Sequence, residues 1–83
     1  MAGRILYKSS VSRDLKKIAP RDVEKILRET RAVLGGNPNA GTALSGEFKG
    51  LFRIRVGDYR VIYTVVDGDV LVLRIAHRNK VYR

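Results

Sequence analysis

The residues of this sequence best suited to chemistry are arginines spaced along its second half. Arg53, Arg55 and Arg60 fall within the stretch RIRVGDYR, and Arg74 and Arg78 fall within RIAHRNKVYR. A guanidinium group is permanently charged, and its planar fork matches two oxygens of a phosphate. The chain of 83 residues carries 17 Lys and Arg against 8 Asp and Glu, a net charge of +9. This excess predicts a polyanionic partner, with nucleic acid favoured over an anionic membrane.

Cleavage of RNA without a metal is the reaction that such arginines could support. The 2′-hydroxyl attacks its neighbouring phosphate, so the site must stabilise extra negative charge, remove one proton and supply another. Arginine suits the first task but is a poor base, because its pKa lies above about 12. The candidates for proton transfer are Tyr82, His77 and Lys49. For the tyrosine and the histidine, a purely structural role is the alternative.

Several other classes of function find no support in the sequence. The chain has no cysteine, which excludes disulfides, thiol nucleophiles and Cys-bound zinc. Glu47, Asp58, Asp67 and Asp69 follow no metal-ligand spacing, and no cofactor-binding motif is present. No apolar stretch reaches the ~18 residues needed to cross a bilayer. We therefore expect a cytoplasmic protein with no metal, no cofactor and no membrane partner.

Hydrophobic periodicity predicts a single α+β domain over residues 1–83. A short strand over residues 4–8 precedes a helix over residues 11–18, with Ser9 and Ser10 as N-cap residues. A second helix begins at Pro20, and the two helices form a hairpin. Strands are then predicted over residues 52–56, 59–66 and 70–78 as an antiparallel three-stranded meander, because the apolar period changes to two. Both helices would pack on one face of the sheet.

The first turn of the meander places three arginines on one face of the sheet. If Gly57-Asp58 is a two-residue turn, Arg55 opposes Arg60, and directly opposed residues point to the same face. Arg53 lies two residues from Arg55 and shares that face. We call this side of the sheet, away from the helices, the open face.

At the second turn, Asp67-Gly68-Asp69, the turn preference and the apolar pattern predict different strand registers. Its Asp-Gly pair favours a two-residue loop, which would pair Val61 with Arg74 and bury that arginine beneath the helices. A three-residue turn pairs Val61 with Ile75 instead. Burying the unpaired charge of Arg74 would cost several kcal/mol, more than the turn preference can offset, so we predict the three-residue turn. This register pairs Tyr63 with Leu73 and Val65 with Leu71, puts Arg74 and Arg78 on the open face, and puts His77 on the helix side or at the frayed strand end.

Two long segments resemble a known protein family. LSGEFKGLFRIRVGDYRVIYTV followed by VLVLRIAHRNKVYR resembles the RelE/ParE toxin superfamily, on its RelE side. The similarity extends to YKSSVSRDLKKI, the second helix and the asparagine-proline loop. It implies a toxin of RelE-like microbial RNase fold that cleaves mRNA in the ribosomal A site without metal, leaving a 2′,3′-cyclic phosphate. It also implies a cognate RelB-like antitoxin that wraps over the basic face.

The resemblance assigns roles position by position. Arg55, Arg60 and Arg78 would hold the scissile phosphate, Tyr82 would transfer a proton, and Arg53 would orient the neighbouring RNA backbone. The other residues predicted to contact mRNA or ribosomal RNA are Lys49, Arg74, His77 and Lys80.

One departure from the family pattern leaves the general base open. The best-studied pattern has lysines where this chain has Arg53 and Arg55, and an arginine does not lose its proton as a lysine can. The base is therefore Tyr82, His77, Lys49 or a group of the ribosome.

Two other functions stay open at this point. A gyrase-inhibiting toxin of the ParE branch would need neither convergent arginines nor a terminal tyrosine. A basic RNA-binding module without catalysis would need exposed aromatic rings for base stacking, and the open face offers few.

Overall fold

A computed structural model describes residues 3–80, in which two helices pack on one face of a five-stranded sheet. The elements are β1 (Ile5–Tyr7), α1 (Ser9–Leu15), α2 (Pro20–Leu34), β2 (Thr42–Ala43), β3 (Phe52–Val56), β4 (Tyr59–Val66) and β5 (Asp69–His77). The strand order is β1-β5-β4-β3-β2, with β1 parallel to β5 and the other neighbours antiparallel. The α+β prediction is confirmed, and β2 is an added edge strand too short to show a period. Within residues 3–80, neither helix is long and apolar enough to cross a bilayer.

The core lies between the helices and the sheet. α2 contributes Ile26 and Leu34, and α1 contributes Val11, each with 1% of its surface exposed. The sheet contributes alternate residues of three strands, as expected when only one sheet face is buried. These are Ile54 and Val56 of β3, Val61 and Tyr63 of β4, and Val70, Val72 and Ile75 of β5.

The start of α1 differs from the prediction. The helix begins at Ser9 and ends at Leu15, and Lys8 occupies the N-cap position without a side-chain hydrogen bond. Ser10 donates its hydroxyl to the Leu73 carbonyl at 3.0 Å. The predicted serine caps are therefore wrong, because α1 lies along β5 beyond the end of β1 and Ser10 bonds to that strand.

The predicted three-residue turn between β4 and β5 is also wrong. Asp67 and Gly68 form a two-residue turn with φ values of 52° and 83°, and Val66 pairs with Asp69. Positive φ at both central positions is the type I′ geometry that an Asp-Gly pair favours. The pairs beyond the turn are consequently Val65 with Val70 and Tyr63 with Val72.

A β-bulge restores the predicted apolar register farther along the hairpin. Tyr63 pairs with Val72 and Ile62 pairs with Arg74, so Leu73 is the extra residue in β5. A bulge of one residue reverses which face the following side chains take. Val61 therefore pairs with Ile75, as predicted, and both are buried. The turn preference and the apolar pattern are both satisfied, at different places in one hairpin.

Tyr63 ties the loop before β2 to the sheet. Its hydroxyl accepts a hydrogen bond from the Gly41 N–H and donates one to the Pro38 carbonyl, both at 2.9 Å. Burial raises the pKa of the Tyr63 phenol, which outweighs the lowering effect of the Gly41 hydrogen bond. A side chain at position 41 would collide with the Tyr63 hydroxyl, so glycine is required there. These bonds hold β2 beside β3, where Thr42 pairs with Arg53.

Asp14 fastens α1 to the bulged edge of β5. Its Oδ2 accepts a hydrogen bond from the Ile75 N–H and another from Arg74 Nε, each at 3.0 Å. The Asp14 side chain is 11% exposed and the Arg74 side chain 41% exposed. The Asp14 carboxylate thus accepts from the main-chain N–H of Ile75 and neutralises the Arg74 guanidinium, which directly follows the bulge.

We predict that Asp14→Ala lowers the free energy of unfolding by about 1–3 kcal/mol, because the Ile75 N–H and the Arg74 guanidinium both lose their acceptor. Asp14→Asn keeps an acceptor oxygen and should lose less. Urea unfolding followed by circular dichroism measures both changes. Equal losses in the two variants would contradict the role given to the Ile75 hydrogen bond.

Candidate anion-binding site

The hairpin of β3 and β4 sets two arginines directly opposite each other. Gly57, with φ of 59°, is the first central residue of a two-residue turn, as predicted. Arg55 consequently pairs with Arg60, and Arg53 pairs with Ile62. Like charges opposed on one sheet face repel each other. An anion bound between Arg55 and Arg60 would turn that repulsion into attraction.

Arg78 joins this pair from the end of β5. Its main-chain N–H donates a hydrogen bond to the Asp58 carbonyl at 2.8 Å, beside the turn between β3 and β4. Arg78 therefore lies at the same end of the sheet as the opposed pair. We call Arg53, Arg55, Arg60 and Arg78 the arginine cluster.

Protein carboxylates do not neutralise most of this cluster. Arg53, Arg55 and Arg78 form no ion pair within residues 3–80, where the ion pairs involve other arginines. Arg60 is held locally, because its Nη1 donates to the Tyr59 carbonyl at 3.1 Å and to the Gly57 carbonyl at 3.4 Å. The cluster has positive charge to offer a ligand, with one member already oriented by the turn.

Arg53 has a donor that lacks an acceptor. Its Nε is buried and forms no hydrogen bond within residues 3–80. Its cross-strand partner Ile62 is only 4% exposed, although it lies on the face away from the helices. A buried charged donor without an acceptor is costly. Hydrogen bonding within residues 3–80 therefore does not account for the placement of this Nε.

Two of the predicted RNA contacts take different positions relative to the open face. Arg74 opposes Ile62 there, but its guanidinium pairs with Asp14 of α1, so it is not part of the arginine cluster. Lys49 is exposed and follows the 3₁₀ turn at Gly46–Phe48. The next residue, Gly50, accepts a hydrogen bond from Thr64 of the open face at 3.0 Å, which brings Lys49 near the far end of that face.

His77 and Lys80 lie on the other side of the end of β5. His77 pairs with Tyr59, and their rings meet edge to face with centroids 5.8 Å apart, on the helix side as the register predicted. Its Nδ1 accepts a hydrogen bond from the Asn79 N–H at 3.3 Å. The Lys80 N–H donates to the His77 carbonyl at 2.8 Å. The structure therefore does not bring these residues into the arginine cluster. Tyr82 lies outside the described residues.

The structure adds residues that the sequence reasoning missed. Asp14 is the carboxylate that forms an ion pair with Arg74, and Tyr59 is the ring in contact with His77. The available signal for Asp14 was an arginine in an apolar strand, which calls for a counter-charge from a neighbouring element. Within residues 3–80, no three His, Asp or Glu side chains are grouped as metal ligands.

The structure is that of a small basic α+β protein whose sheet carries the arginine cluster. Residues 5–82 match the family described as ParE toxin of type II toxin-antitoxin system, parDE. The chain belongs to the RelE/ParE toxin superfamily and is a toxin of a toxin–antitoxin system.

Individual relatives agree with this membership. Toxin RelG of Mycobacterium tuberculosis is 32% identical over 82 residues, covering 95% of this chain and 94% of the relative. The toxin–antitoxin complex RelBE2 of the same organism contains a chain with a TM-score of 0.86 and 30% identity, covering 94% of this chain and all of that chain. The archaeal RelE–RelB complex of Pyrococcus horikoshii gives a TM-score of 0.70 and 27% identity, over 96% and 99% of the two chains.

We predict that Arg53→Met changes the free energy of unfolding by less than about 1 kcal/mol, because it removes a buried donor that has no acceptor and keeps an apolar stem. Ile54→Ala is the matched contrast, since its side chain lies on the core face of the same strand. It should cost about 2–5 kcal/mol. Urea unfolding compares the two, and a large loss in Arg53→Met would show that the guanidinium has a structural partner.

Proposed function

We propose that this toxin is a metal-independent endoribonuclease that cleaves mRNA in the ribosomal A site. The observation that carries the proposal is the direct opposition of Arg55 and Arg60, with Arg78 at the same end of the sheet. Like charges directly opposed on one sheet face lower the stability of the sheet. Such a pair is expected where a ligand carries negative charge. In RNA cleavage that charge is greatest on the phosphoryl oxygens when the phosphorus is five-coordinate.

In the proposed reaction, the 2′-oxygen of one nucleotide attacks the adjacent phosphorus and the bond from phosphorus to the 5′-oxygen breaks. The proton of the 2′-hydroxyl goes to a base, and the 5′-oxygen takes a proton from an acid. The products are a 2′,3′-cyclic phosphate and a free 5′-hydroxyl. Arg55, Arg60 and Arg78 hold the non-bridging oxygens, where negative charge grows as the phosphorus becomes five-coordinate. Arg53 holds the neighbouring backbone.

Tyr82 is proposed as the residue that transfers a proton. Arginine does not serve as base, so this role falls outside the arginine cluster. Of the other candidates, His77 lies on the helix side and its Nδ1 already accepts the Asn79 N–H. Lys49 lies near Gly50, toward the far end of the open face. Neither position is favourable for a phosphate held at the turn between β3 and β4.

The proposed partners are mRNA, ribosomal RNA and a cognate RelB-like antitoxin in the cytoplasm. The support for an antitoxin is that the solved relatives from Mycobacterium tuberculosis and Pyrococcus horikoshii are toxin–antitoxin complexes. An acidic segment laid over the arginine cluster would neutralise it and exclude RNA. Dependence on the ribosome fits a site that supplies charge, because the ribosome can hold the message in the in-line geometry that attack requires.

We predict that the intact toxin cuts a message at ribosomal A-site codons and that Arg55→Ala abolishes or strongly reduces these cuts. Loss of one donor to the developing charge typically costs about 10²–10³ in rate. Arg55 is exposed and forms no ion pair within residues 3–80, so its removal should leave the fold intact. Mapping of 5′ ends in a reconstituted translation mixture measures the cuts.

Arg21→Ala is the matched control for that experiment. Arg21 is an exposed arginine at the start of α2, on the side of the molecule away from the open face. It should cut as the intact protein does. A message that stays whole with the intact toxin would reject the nuclease proposal. Stalled gyrase–DNA complexes in cells expressing it would then favour a ParE-like mode, which the name of the matching family makes the second candidate.

We expect Tyr82→Phe to slow single-turnover cleavage by about 10²–10⁴ with little effect on folding, because it removes a proton-transfer group and keeps the ring. The rate is measured on ribosome-bound message with toxin in excess. An unchanged rate would assign proton transfer to another residue or to the ribosome.

A further inference from the structure

A second basic feature lies on the other side of the end of β5. It is a cleft of about 670 Å³ between the segment that follows α1 and the segment that follows β5. This volume lies within the usual range of small-ligand sites. The lining residues that matter for its chemistry are Asp14, Lys17, Tyr59, Arg74, His77 and Lys80.

The cleft has positive charge that the protein does not use. Its carboxylate, Asp14, is already bonded to Arg74 and to the Ile75 N–H. Lys17 and Lys80 are exposed and form no ion pair within residues 3–80. Two exposed lysines that line one cleft can both contact phosphate groups of one ligand, as lysines commonly do in nucleic-acid complexes.

The main chain of β5 argues against an added peptide strand as the occupant. Strand addition needs the free N–H and C=O groups of an edge. Here the Leu73 carbonyl accepts from Ser10, the Ile75 N–H donates to Asp14, and the His77 carbonyl accepts from the Lys80 N–H. The edge is therefore largely satisfied by the protein itself.

The rings in the cleft favour a nucleotide. Tyr59 and His77 both line it, and both are partly buried with their rings in contact. Unstacked bases of single-stranded RNA bind to such rings while lysines hold the flanking phosphates. The cleft also adjoins the arginine cluster, because His77, which lines it, directly precedes Arg78, whose main-chain N–H bonds to the Asp58 carbonyl beside the Arg55–Arg60 pair.

We propose that this cleft binds a single-stranded RNA nucleotide that flanks the scissile phosphate, with Lys17 and Lys80 on its phosphates and His77 against its base. The proposal rests on the proposed ribonuclease function. The RNA would cross the end of β5, with one nucleotide on the helix side and the phosphate to be cut at the arginine cluster.

The test uses a 2′-O-methyl RNA oligonucleotide, which cannot be cleaved, and the full-length toxin. Affinity is measured by fluorescence anisotropy over a range of salt concentrations. We expect Lys17→Ala/Lys80→Ala to lower the slope of log affinity against log salt by about 1.4, since each contact to single-stranded nucleic acid contributes about 0.7. Arg21→Ala/Lys25→Ala removes two exposed cations from α2 and should leave the slope unchanged.

The base contact is tested by a double-mutant cycle that combines an abasic nucleotide with His77→Ala. One abasic position is moved along the oligonucleotide, and each version is measured with the intact toxin and with His77→Ala. At one position the abasic change should weaken binding to the intact toxin but not to His77→Ala. Additive losses at every position would overturn the base contact, because independent sites do not couple.

The outcomes separate this inference from the proposed function. If the intact toxin cuts ribosome-bound message and the two double variants share one salt slope, the cleft does not bind RNA and the nuclease function stands. If no message is cut but the slope falls only in Lys17→Ala/Lys80→Ala, the cleft binds RNA and the nuclease proposal fails. Absence of oligonucleotide binding at low salt would overturn the cleft proposal outright.

Discussion

The burial of a single face of the sheet is the constraint on which the rest of this structure depends. Val61 and Tyr63 of β4 are fully buried against the helices, so every second residue of the strands must point away from them. Arg55 and Arg60 are forced onto the open face by that alternation. The arginine cluster is thus a direct result of core formation in a chain that has one thin core.

The bulge at Leu73 preserves this constraint along β5. The Asp67-Gly68 turn sets a register that would bring Arg74 opposite Val61, beneath the helices. One extra residue reverses the alternation and returns Ile75 to the core. The bulge interrupts the regular edge of β5. Two residues of α1 compensate, because Ser10 donates to the Leu73 carbonyl and Asp14 accepts from the Ile75 N–H. α1 therefore supplies hydrogen bonds at the bulge that reconciles the turn geometry with burial of the apolar face.

The parts of this molecule that were predictable from sequence are those governed by strong, local rules. Period-two alternation in β3 and β4 and the Gly57 turn fixed the pairing of Arg55 with Arg60, because a slip would bury charge. The exact path of the second hairpin was not predictable, since the Asp-Gly turn preference and the apolar alternation exclude each other unless the strand contains a bulge.

Long-range polar contacts were the other limit of prediction. Asp14 and Arg74 are 60 residues apart, and no local spacing marks them as partners. The same holds for the Tyr63 hydroxyl, which reaches Pro38 and Gly41 in a loop. The cleft was missed for the same reason, because Lys17 and Lys80 line one cleft only once α1 lies along the edge of β5.

The charge of the arginine cluster also bears on the stability of the protein itself. Opposed cations at Arg55 and Arg60 raise the free energy of the folded state, and the buried Nε of Arg53 adds a donor that the protein leaves unsatisfied within residues 3–80. Any anion that binds the folded toxin and not the unfolded chain stabilises it by mass action. The two anionic partners proposed above, an acidic antitoxin and a phosphate of RNA, would both bind to the arginine cluster. If the antitoxin is the acidic partner proposed above, its inhibition of the toxin and its stabilisation of the folded toxin have the same electrostatic origin.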